Sequence, residues 1–226
     1  MGFDTIAFDL ETTGIDPFSD VPVSWTLGDK SGLVNPGRDI PDGASAIHGI
    51  TNDMVVDAES LLNSTFMLRN ALDAYWAAGK IIIGMNVSYD LTMMQSLCQQ
   101  FGSFMVVGPV IDVLIIDRHF DKWRKGKRTL TDLCVHYDVV LENAHTSEAD
   151  ANACTFILEK QIELYPKLQY MPTHNNDGYW LLSSLNSVMR EWYREWLSSY
   201  DAYRVKTGQE PVPKGRYDWP IHSKEL

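Results

Sequence analysis

The sequence predicts an α/β fold in which helices flank a mixed β-sheet. Short apolar runs typical of strands come first, and segments with helical periodicity alternate with further strands after them. A chain of 226 residues with 45% hydrophobic content can also bury one substantial core. We therefore predict one α/β domain followed by a C-terminal helical extension.

The predicted strands fall into two groups. Residues 5–10 (TIAFDL) form a short apolar run, and residues 21–34 have the pattern of a hairpin with a turn at 29–31. The later runs, 80–85 (KIIIGM) and 109–113, are each followed by a helical pattern. Strands that alternate with helices usually pair in parallel. The sheet is therefore expected to be antiparallel in its first strands and parallel afterwards.

Helical patterns and one polar stretch divide the rest of the chain. The predicted helices cover residues 44–48, 51–56, 64–78, 88–101, 129–137, 147–165 and 179–204. Residues 166–178 contain two prolines and the turn sequence NNDG, which is typical of a linker. We predict a domain at 1–165, this linker, and a C-terminal part at 179–226 with a long helix and an irregular tail.

The cysteines and the first residues favour a cytoplasmic protein. Cys98, Cys134 and Cys154 lie far apart and in no metal-ligand spacing, so we expect them to be reduced and buried. Asp4 stands where a secretion signal would be basic. No apolar run approaches the roughly 18 residues of a membrane-spanning helix, so no membrane partner is expected.

The net charge of −11 argues at first sight against a nucleic-acid partner, because phosphates attract Lys and Arg. The charge is unevenly distributed, however, since six basic residues fall within 118–128 (RHFDKWRKGKR). These could hold phosphates while Trp123 stacks on a single strand, although a solvated loop is the ordinary explanation of such a run. The acidic remainder suits a protein that binds cations.

Asp9 and Glu11 form the firmest candidate site. They lie two residues apart at the end of the first predicted strand, so both carboxylates project to one face before the TTG turn. Their repulsion would be relieved by a hard divalent cation, which prefers oxygen ligands. Asp57 and Glu59 repeat the spacing without a preceding strand and glycine turn, so we expect them at an exposed helix start.

Two further acidic positions occur where helices are predicted to begin. Asp90 follows the strand at 80–85, although a carboxylate there is also an ordinary helix-capping group. His145 and Asp150, in the sequence HTSEAD, span the entry to another helix. Histidine is suited to accept a proton from water near neutral pH, and a carboxylate beside it could hold a metal ion.

In this order the motifs resemble those of the DEDDh (DnaQ-like) 3′-to-5′ exonuclease family of the ribonuclease H-like superfamily. The resemblance rests on IAFDLETTG at 6–14, NVSYD at 86–90 and HTSEADA at 145–151, with HGIT at 48–51 as a further family element. The likeness covers about residues 4–165 and is to proofreading epsilon-type members. It implies a ribonuclease H-like sheet with an active site made of Asp9, Glu11, Asp90, Asp150 and His145.

The resemblance also implies the chemistry of that site. The four carboxylates would hold two divalent ions, Mg²⁺ or Mn²⁺, and His145 would deprotonate the water that attacks the terminal phosphodiester. The product would be a nucleoside 5′-monophosphate. Thr12, Thr13 and His48 would contact the terminal nucleotide, with a turn and a helix cap as their ordinary explanations. Tyr89 would either stack on a base or pack against the sheet.

The sequence leaves alternatives for the substrate and for the activity itself. We expect single-stranded or frayed DNA with a 3′ end, in proofreading or repair, and a polymerase or replisome partner. RNA trimming of the RNase T or oligoribonuclease type stays open, since the same carboxylates serve both. An inert nucleic-acid-binding or docking module is an alternative of another class, although the helix with Trp192 and Trp196 is more simply explained by packing on the protein's own core. A metal-free hydrolase of sugars is another.

Overall fold

A six-stranded mixed sheet lies at the centre of the fold. The computed structural model describes residues 3–141, 147–170 and 180–224. The strands are β1 (Thr5–Thr12), β2 (Pro22–Leu27), β3 (Lys30–Asn35), β4 (Glu59–Ser60), β5 (Ile81–Gly84) and β6 (Val110–Asp112). Their order is β4-β3-β2-β1-β5-β6, with β1, β2 and β3 antiparallel and the β1–β5, β5–β6 and β3–β4 pairs parallel. The predicted mixed sheet is thereby confirmed.

Helices flank this sheet. They are α1 (Asp42–His48), α2 (Asn52–Val55), α3 (Leu61–Ala77), α4 (Ser88–Gln100), α5 (Val113–Phe120), α6 (Leu130–Tyr137), α7 (Ser147–Leu164) and α8 (Trp180–Lys206), with 3₁₀ turns at Pro166–Tyr170 and Lys214–Tyr217. Helix α7 packs against β1, β2 and β5, while α3 packs on α4 and contacts β3 and β5. Among the described helices, none has the length and apolarity to cross a bilayer.

The hairpin turn differs from the predicted one at 29–31. Leu27 pairs with Lys30, so the loop consists of Gly28 and Asp29 alone. Gly28 has a φ of 65°, which a glycine adopts without steric penalty and which a two-residue hairpin loop requires. The polar Lys30 and Ser31 are the exposed first residues of β3, not loop residues.

The second Asp-x-Glu pair lies in a turn and a short strand instead of a helix start. Glu59 and Ser60 form β4, and Asp57 and Glu59 are both exposed. Helix α3 begins at Leu61, because the Ser60 hydroxyl accepts the Asn63 N–H at 3.3 Å and caps the helix. The exposure of this pair was predicted correctly, whereas its secondary structure was not.

Strand β5 lies deep in the core beside β1. All four of its residues are buried, and Ile82 and Ile83 are fully so. A Cβ on Gly84 would lie 2.8 Å from the Phe8 carbonyl oxygen, so only glycine allows the end of β5 to approach the middle of β1 this closely. This close approach brings the start of α4 next to the end of β1.

Helix α8 covers the edge of the sheet at β6. The Asn186 side chain accepts the Val110 N–H at 2.9 Å and donates to the Gly108 carbonyl at 2.7 Å, in place of a neighbouring strand. The tail then returns to α4, where the His222 N–H donates to the Thr92 hydroxyl at 2.9 Å. Trp219 is buried in the same core. Part of the predicted linker is the 3₁₀ turn at Pro166–Tyr170, and 171–178 lie outside the described residues.

Candidate active site

Asp9 and Glu11 project from the end of β1 to the same side of the sheet. Asp9 pairs with Thr26 of β2, and Glu11 pairs with Ser24. Directly opposed residues in a sheet share a face, so the hydroxyls of Thr26 and Ser24 lie on the same face as the two carboxylates. The pairing register shifts after Glu11, at a bulge that ends the regular ladder.

A buried hydroxyl cluster attaches the start of α7 to this face. The Ser147 hydroxyl shares a hydrogen bond of 3.0 Å with the Ser24 hydroxyl and accepts one of 2.9 Å from Thr26. Ser147 is the first residue of α7, and Asp150 lies in the first turn of that helix. The carboxylates of Asp9, Glu11 and Asp150 consequently place one oxygen each within 4.8 Å of one another.

Asp90 reaches the same place from α4. It lies in the first turn of that helix and is buried, and its Oδ1 accepts the Leu10 N–H at 3.2 Å. Leu10 stands between Asp9 and Glu11 in β1, so this hydrogen bond ties the helix to the strand at the site. The structure thus brings the four predicted carboxylates together.

The electrostatics of this group favour a cation. Burial raises the pKa of Asp9 well above its usual value, and the charges of Asp90, Asp150 and Glu11 raise it further. The pKa of Glu11 is raised to about 7, by burial first and by Asp150 second. Oxygen-only donors that repel one another suit Mg²⁺ or Mn²⁺, which would offset that repulsion. The residues present therefore fit divalent metal ions.

The two threonines and Tyr89 hold the turn after β1. The hydroxyls of Thr12 and Tyr89 both donate to the Gly14 carbonyl, at 2.7 and 2.6 Å. The Thr13 hydroxyl donates to Asp20 at 3.0 Å and accepts the Val21 N–H at 3.1 Å, and only 3% of Thr13 is exposed. Thr13 is therefore committed to the turn, whereas Thr12 and Tyr89 are half-buried beside the carboxylates.

His48 faces the same turn from the end of α1. Its Nδ1 accepts the Ile50 N–H at 3.0 Å just beyond the helix, which leaves the proton of a neutral ring on Nε2. Burial lowers the pKa of His48, and the nearby Thr12 backbone offsets part of that effect. Nε2 is buried and finds no acceptor in good geometry among the described residues. In the neutral ring, Nε2 is therefore a buried hydrogen-bond donor close to the Thr12 backbone.

The predicted general base, His145, lies outside the described residues. Its place in the chain is two residues before the first residue of α7. Its role as a general base therefore stays a prediction.

Sequence reasoning missed two residues that organise the site. Asp112, which ends β6, is 2% exposed and accepts the N–H groups of Asn86 at 3.0 Å and Leu114 at 2.9 Å. Burial raises the pKa of Asp112 to about 6, and its charge raises that of Asp90 in turn. Its position between a strand and a helix was a usable signal, the same as for Asp90. Ser147 had no local signal, since its partners lie more than 120 residues away.

The basic cluster at 118–128 is partly structural. Arg124 donates to the buried carboxylate of Asp117 at 2.9 Å, Arg128 also donates to it, and the Tyr137 hydroxyl does so at 3.0 Å. The guanidinium of Arg118 lies 3.4 Å from the centre of the Trp196 ring instead. These three arginines therefore do not belong to a freely solvated loop, whereas Trp123 is 85% exposed.

Comparison with known protein families agrees with this geometry. A family model described as "Exonuclease" matches residues 6–158. The match covers most of the chain, which therefore belongs to this exonuclease family, and the DnaQ-like assignment made from the motifs is confirmed. Helix α8 and the tail lie beyond the matched residues.

A curated relative and two solved structures are similar to the chain. It is 27% identical over 179 residues to a "DNA polymerase III PolC-type" of Lacticaseibacillus paracasei, a match that covers 75% of this chain but only 12% of that relative. "Exonuclease X in complex with 5′ overhanging duplex DNA" has a TM-score of 0.52 at 19% identity, covering 72% of this chain and 93% of the other. A zinc-bound "E. coli ExoI-ssDNA complex" has a TM-score of 0.59 at 17% identity, covering 77% and 43%. The structural likenesses support the ribonuclease H-like fold.

Proposed function

We propose that the chain is a metal-dependent 3′-to-5′ exonuclease that releases nucleoside 5′-monophosphates from DNA. The observation that carries the proposal is the convergence of Asp9, Glu11 and Asp150, whose oxygens lie within 4.8 Å of one another. Asp90 joins them through its hydrogen bond to the Leu10 N–H. Membership of the exonuclease family supports hydrolysis at the end of a nucleic acid.

The carboxylates serve as ligands in this proposal. A phosphodiester is an anion, so a group of carboxylates would repel it unless cations stand between them. Asp9, Glu11, Asp90 and Asp150 would hold two divalent ions, Mg²⁺ or Mn²⁺, which supply Lewis acidity toward the phosphate oxygens. Each carboxylate must be deprotonated to bind, so the raised pKa of Glu11, about 7, links metal binding to pH.

The two histidines have separate roles in this proposal, His145 in proton transfer and His48 in binding the nucleotide. His145 would accept the proton of the attacking water, because a neutral imidazole does so near pH 7. His48 would donate a hydrogen bond from Nε2 to the terminal nucleotide, since its Nδ1 is occupied by the Ile50 N–H. Thr12 and Tyr89 would shape the same pocket, because both are half-buried beside the carboxylates. Thr13 supports that pocket from within the turn.

Single-stranded or frayed DNA is the proposed substrate. The similar curated protein is named a DNA polymerase, and the E. coli structure is named as a complex with single-stranded DNA. Proofreading or repair beside a polymerase or replisome partner is the corresponding biological role. Trimming of RNA is the alternative, and an inert binding module is the alternative of another class.

A ladder assay tests these points together. A 5′-labelled single strand, as DNA and as RNA of the same sequence, is incubated with Mg²⁺, with Mn²⁺ and with EDTA. We expect DNA products that shorten from the 3′ end and keep the label, and no products in EDTA. Asp9→Asn and His145→Gln should lose the ladder. Asp57→Asn, in the exposed Asp-x-Glu pair, is the matched control and should keep it.

Each other outcome selects an alternative. A ladder that survives in Asp9→Asn contradicts the proposed site. Faster cleavage of RNA than of DNA moves the assignment to an exoribonuclease. Activity that persists in EDTA points to metal-free hydrolysis, and an inert protein that still binds the strand points to the binding module.

A further inference from the structure

A cavity lies where α8 and the C-terminal tail meet the end of β5. It measures about 280 Å³ and is lined by Asn86, Arg118, Arg204 and Arg216, with aromatic walls from Tyr193, Trp196 and Tyr200. Three of its described lining residues are arginines and none is a carboxylate. In a chain of net charge −11, this concentration of positive charge is a local feature that specifies an anion.

The cavity is at the same edge of the sheet as the four carboxylates. Strands β1 and β5 are parallel, with Ala7 opposite Ile83, so Asp9 in β1 and Asn86 just after β5 lie toward the same edge of the sheet. The Asn86 N–H donates to Asp112, whose charge acts on both Asp90 and Arg118. The active site and the cavity are therefore neighbours joined through Asp112.

The three arginines are held in different ways. The Arg118 guanidinium stacks on Trp196, and its buried Nε has no hydrogen-bond partner among the described residues. Burial lowers the pKa of Arg118 to about 10, because water solvates its charge poorly there. Arg204 donates from Nε to the Glu210 carbonyl at 2.8 Å. Arg216 is exposed, and within the described residues no hydrogen bond or ion pair holds its guanidinium.

We infer that this cavity binds a backbone phosphate of the substrate strand, upstream of the nucleotide that is removed. Planar guanidinium groups match phosphate oxygens, and aromatic faces beside them accept bases or sugars of a single strand. Packing alone accounts for Arg118 on Trp196, but it does not account for three arginines around one open cavity. The inference rests on the proposed function, because it places the same strand in the neighbouring active site.

The C-terminal part of the chain supplies most of this subsite. Trp196, Tyr200 and Arg204 belong to α8, and Arg216 belongs to the 3₁₀ turn of the tail. Both elements lie beyond residues 6–158, the part that the exonuclease family model matches. Binding of the substrate strand at this subsite is therefore a property that the C-terminal part adds to the catalytic domain.

A length series tests the subsite. KM is measured for 5′-labelled oligo(dT) from two to ten nucleotides, in wild type, Arg204→Gln and Arg216→Gln. In the wild type we expect KM to fall at the length that first reaches the cavity. In the variants that step should be lost, with KM for the decamer raised about tenfold. The slope of log affinity against log salt should become shallower by about 0.7 for each phosphate contact removed.

Arg194→Gln is the matched control. Arg194 is an exposed arginine of the same helix and donates from Nε to the Tyr217 carbonyl at 3.0 Å, but it does not line the cavity. It should leave the length step and the salt slope as in the wild type. Equal thermal midpoints among the variants would show that the fold is intact.

The outcomes separate the two proposals. If the wild type cleaves the strand and the Arg204 and Arg216 variants behave like Arg194→Gln, the subsite is wrong and the exonuclease proposal stands. If the wild type does not cleave, the exonuclease proposal fails. Fluorescence anisotropy of labelled dT10 in EDTA then judges the cavity alone. Weaker binding in the two cavity variants supports the subsite, and unchanged binding overturns it.

Discussion

Two clusters of potential metal-ligand side chains among the described residues have similar distances between their ligand atoms but opposite electrostatics. Asp117, Asp121 and His136 form one, and Asp9, Glu11 and Asp150 form the other, with one ligand atom per residue within 4.8 Å of the others in each. In the first, Arg124, Arg128 and Tyr137 donate to the buried carboxylate of Asp117. In the second, the charges that act on Asp9 are carboxylates, and they raise its pKa.

The difference separates a carboxylate that the protein itself neutralises from carboxylates that we propose as metal ligands. Arg124 and Arg128 neutralise Asp117, so removing this carboxylate alone would leave their charges unpaired and destabilise the fold. In the proposed function, cations from solution would compensate the carboxylates around Asp9, so their repulsion should reduce the stability of the metal-free fold. The same Asp→Asn substitution should therefore have opposite effects at the two clusters.

The largest expected effect is that of Asp9→Asn on activity. Losing one ligand should reduce the rate of cleavage by about 10³-fold. In EDTA at pH 8 the same variant should melt at a higher temperature than the wild type, because a neutral amide relieves the repulsion. Initial rates and thermal melts measure the two effects. A variant that loses both activity and stability would place Asp9 with Asp117 as a structural residue.

Asp117→Asn tests the comparison at the cluster in which arginines neutralise the carboxylate. It leaves the guanidinium groups of Arg124 and Arg128 without their buried counter-charge, which should lower the free energy of unfolding by about 3–5 kcal/mol. Urea denaturation measures this loss. Asp121→Asn is the control, because Asp121 is part-exposed and should cost less than about 1 kcal/mol. Equal losses in the two variants would contradict the structural role of Asp117.

The pH dependence of stability sharpens the comparison further. Glu11 has a pKa of about 7 in the folded chain against 4.5 ordinarily, and Asp112 about 6 against 3.8. The folded state therefore holds protons that the unfolded chain has released, so the metal-free protein should lose stability as the pH rises through this range, from about 4 to 7. Thermal melts in EDTA at pH 5, 6, 7 and 8 measure the trend.

Metal ions should reverse that trend, since they bind the deprotonated carboxylates. At a hundredfold excess over Kd, Mn²⁺ should raise the melting temperature by about 5 °C at pH 8 and by less at pH 5. Glu11→Gln should flatten the decline with pH and reduce the Mn²⁺ shift. A Mn²⁺ shift that is equal at both pH values would mean that these carboxylates are not the ligands.

The smallest expected effect is that of Ser147→Ala. The change removes the hydroxyl that ties the first residue of α7 to Ser24 and Thr26, at a cost of about 1–2 kcal/mol. Because Asp150 follows in the same helical turn, the Mg²⁺ concentration for half-maximal rate should rise as well. Ser199→Ala, at an exposed helical serine, should change neither quantity. A loss of stability without a change in Mg²⁺ dependence would make Ser147 purely structural.

Most of the candidate site could be predicted from local features of the sequence. Asp9 and Glu11 were predictable because strand alternation and the following glycine turn depend only on neighbouring residues. Asp90 was predictable as a helix-start carboxylate, and Asp112 had the same signal although it was missed. The hairpin turn was misplaced because a two-residue loop follows from the positive φ of Gly28, while Lys30 and Ser31 look like turn residues and lie in β3.

By itself the sequence determined the mixed sheet, the acidic motifs and the family, since all three depend on short-range patterns. Only the tertiary structure decided which charges are neutralised. Six basic residues form one run at 118–128, yet Arg124 and Arg128 bind Asp117 while Arg118 stacks on Trp196 of α8. The electrostatic energy of a charged side chain depends on its burial and on partners distant in sequence. Both are set only when the chain folds.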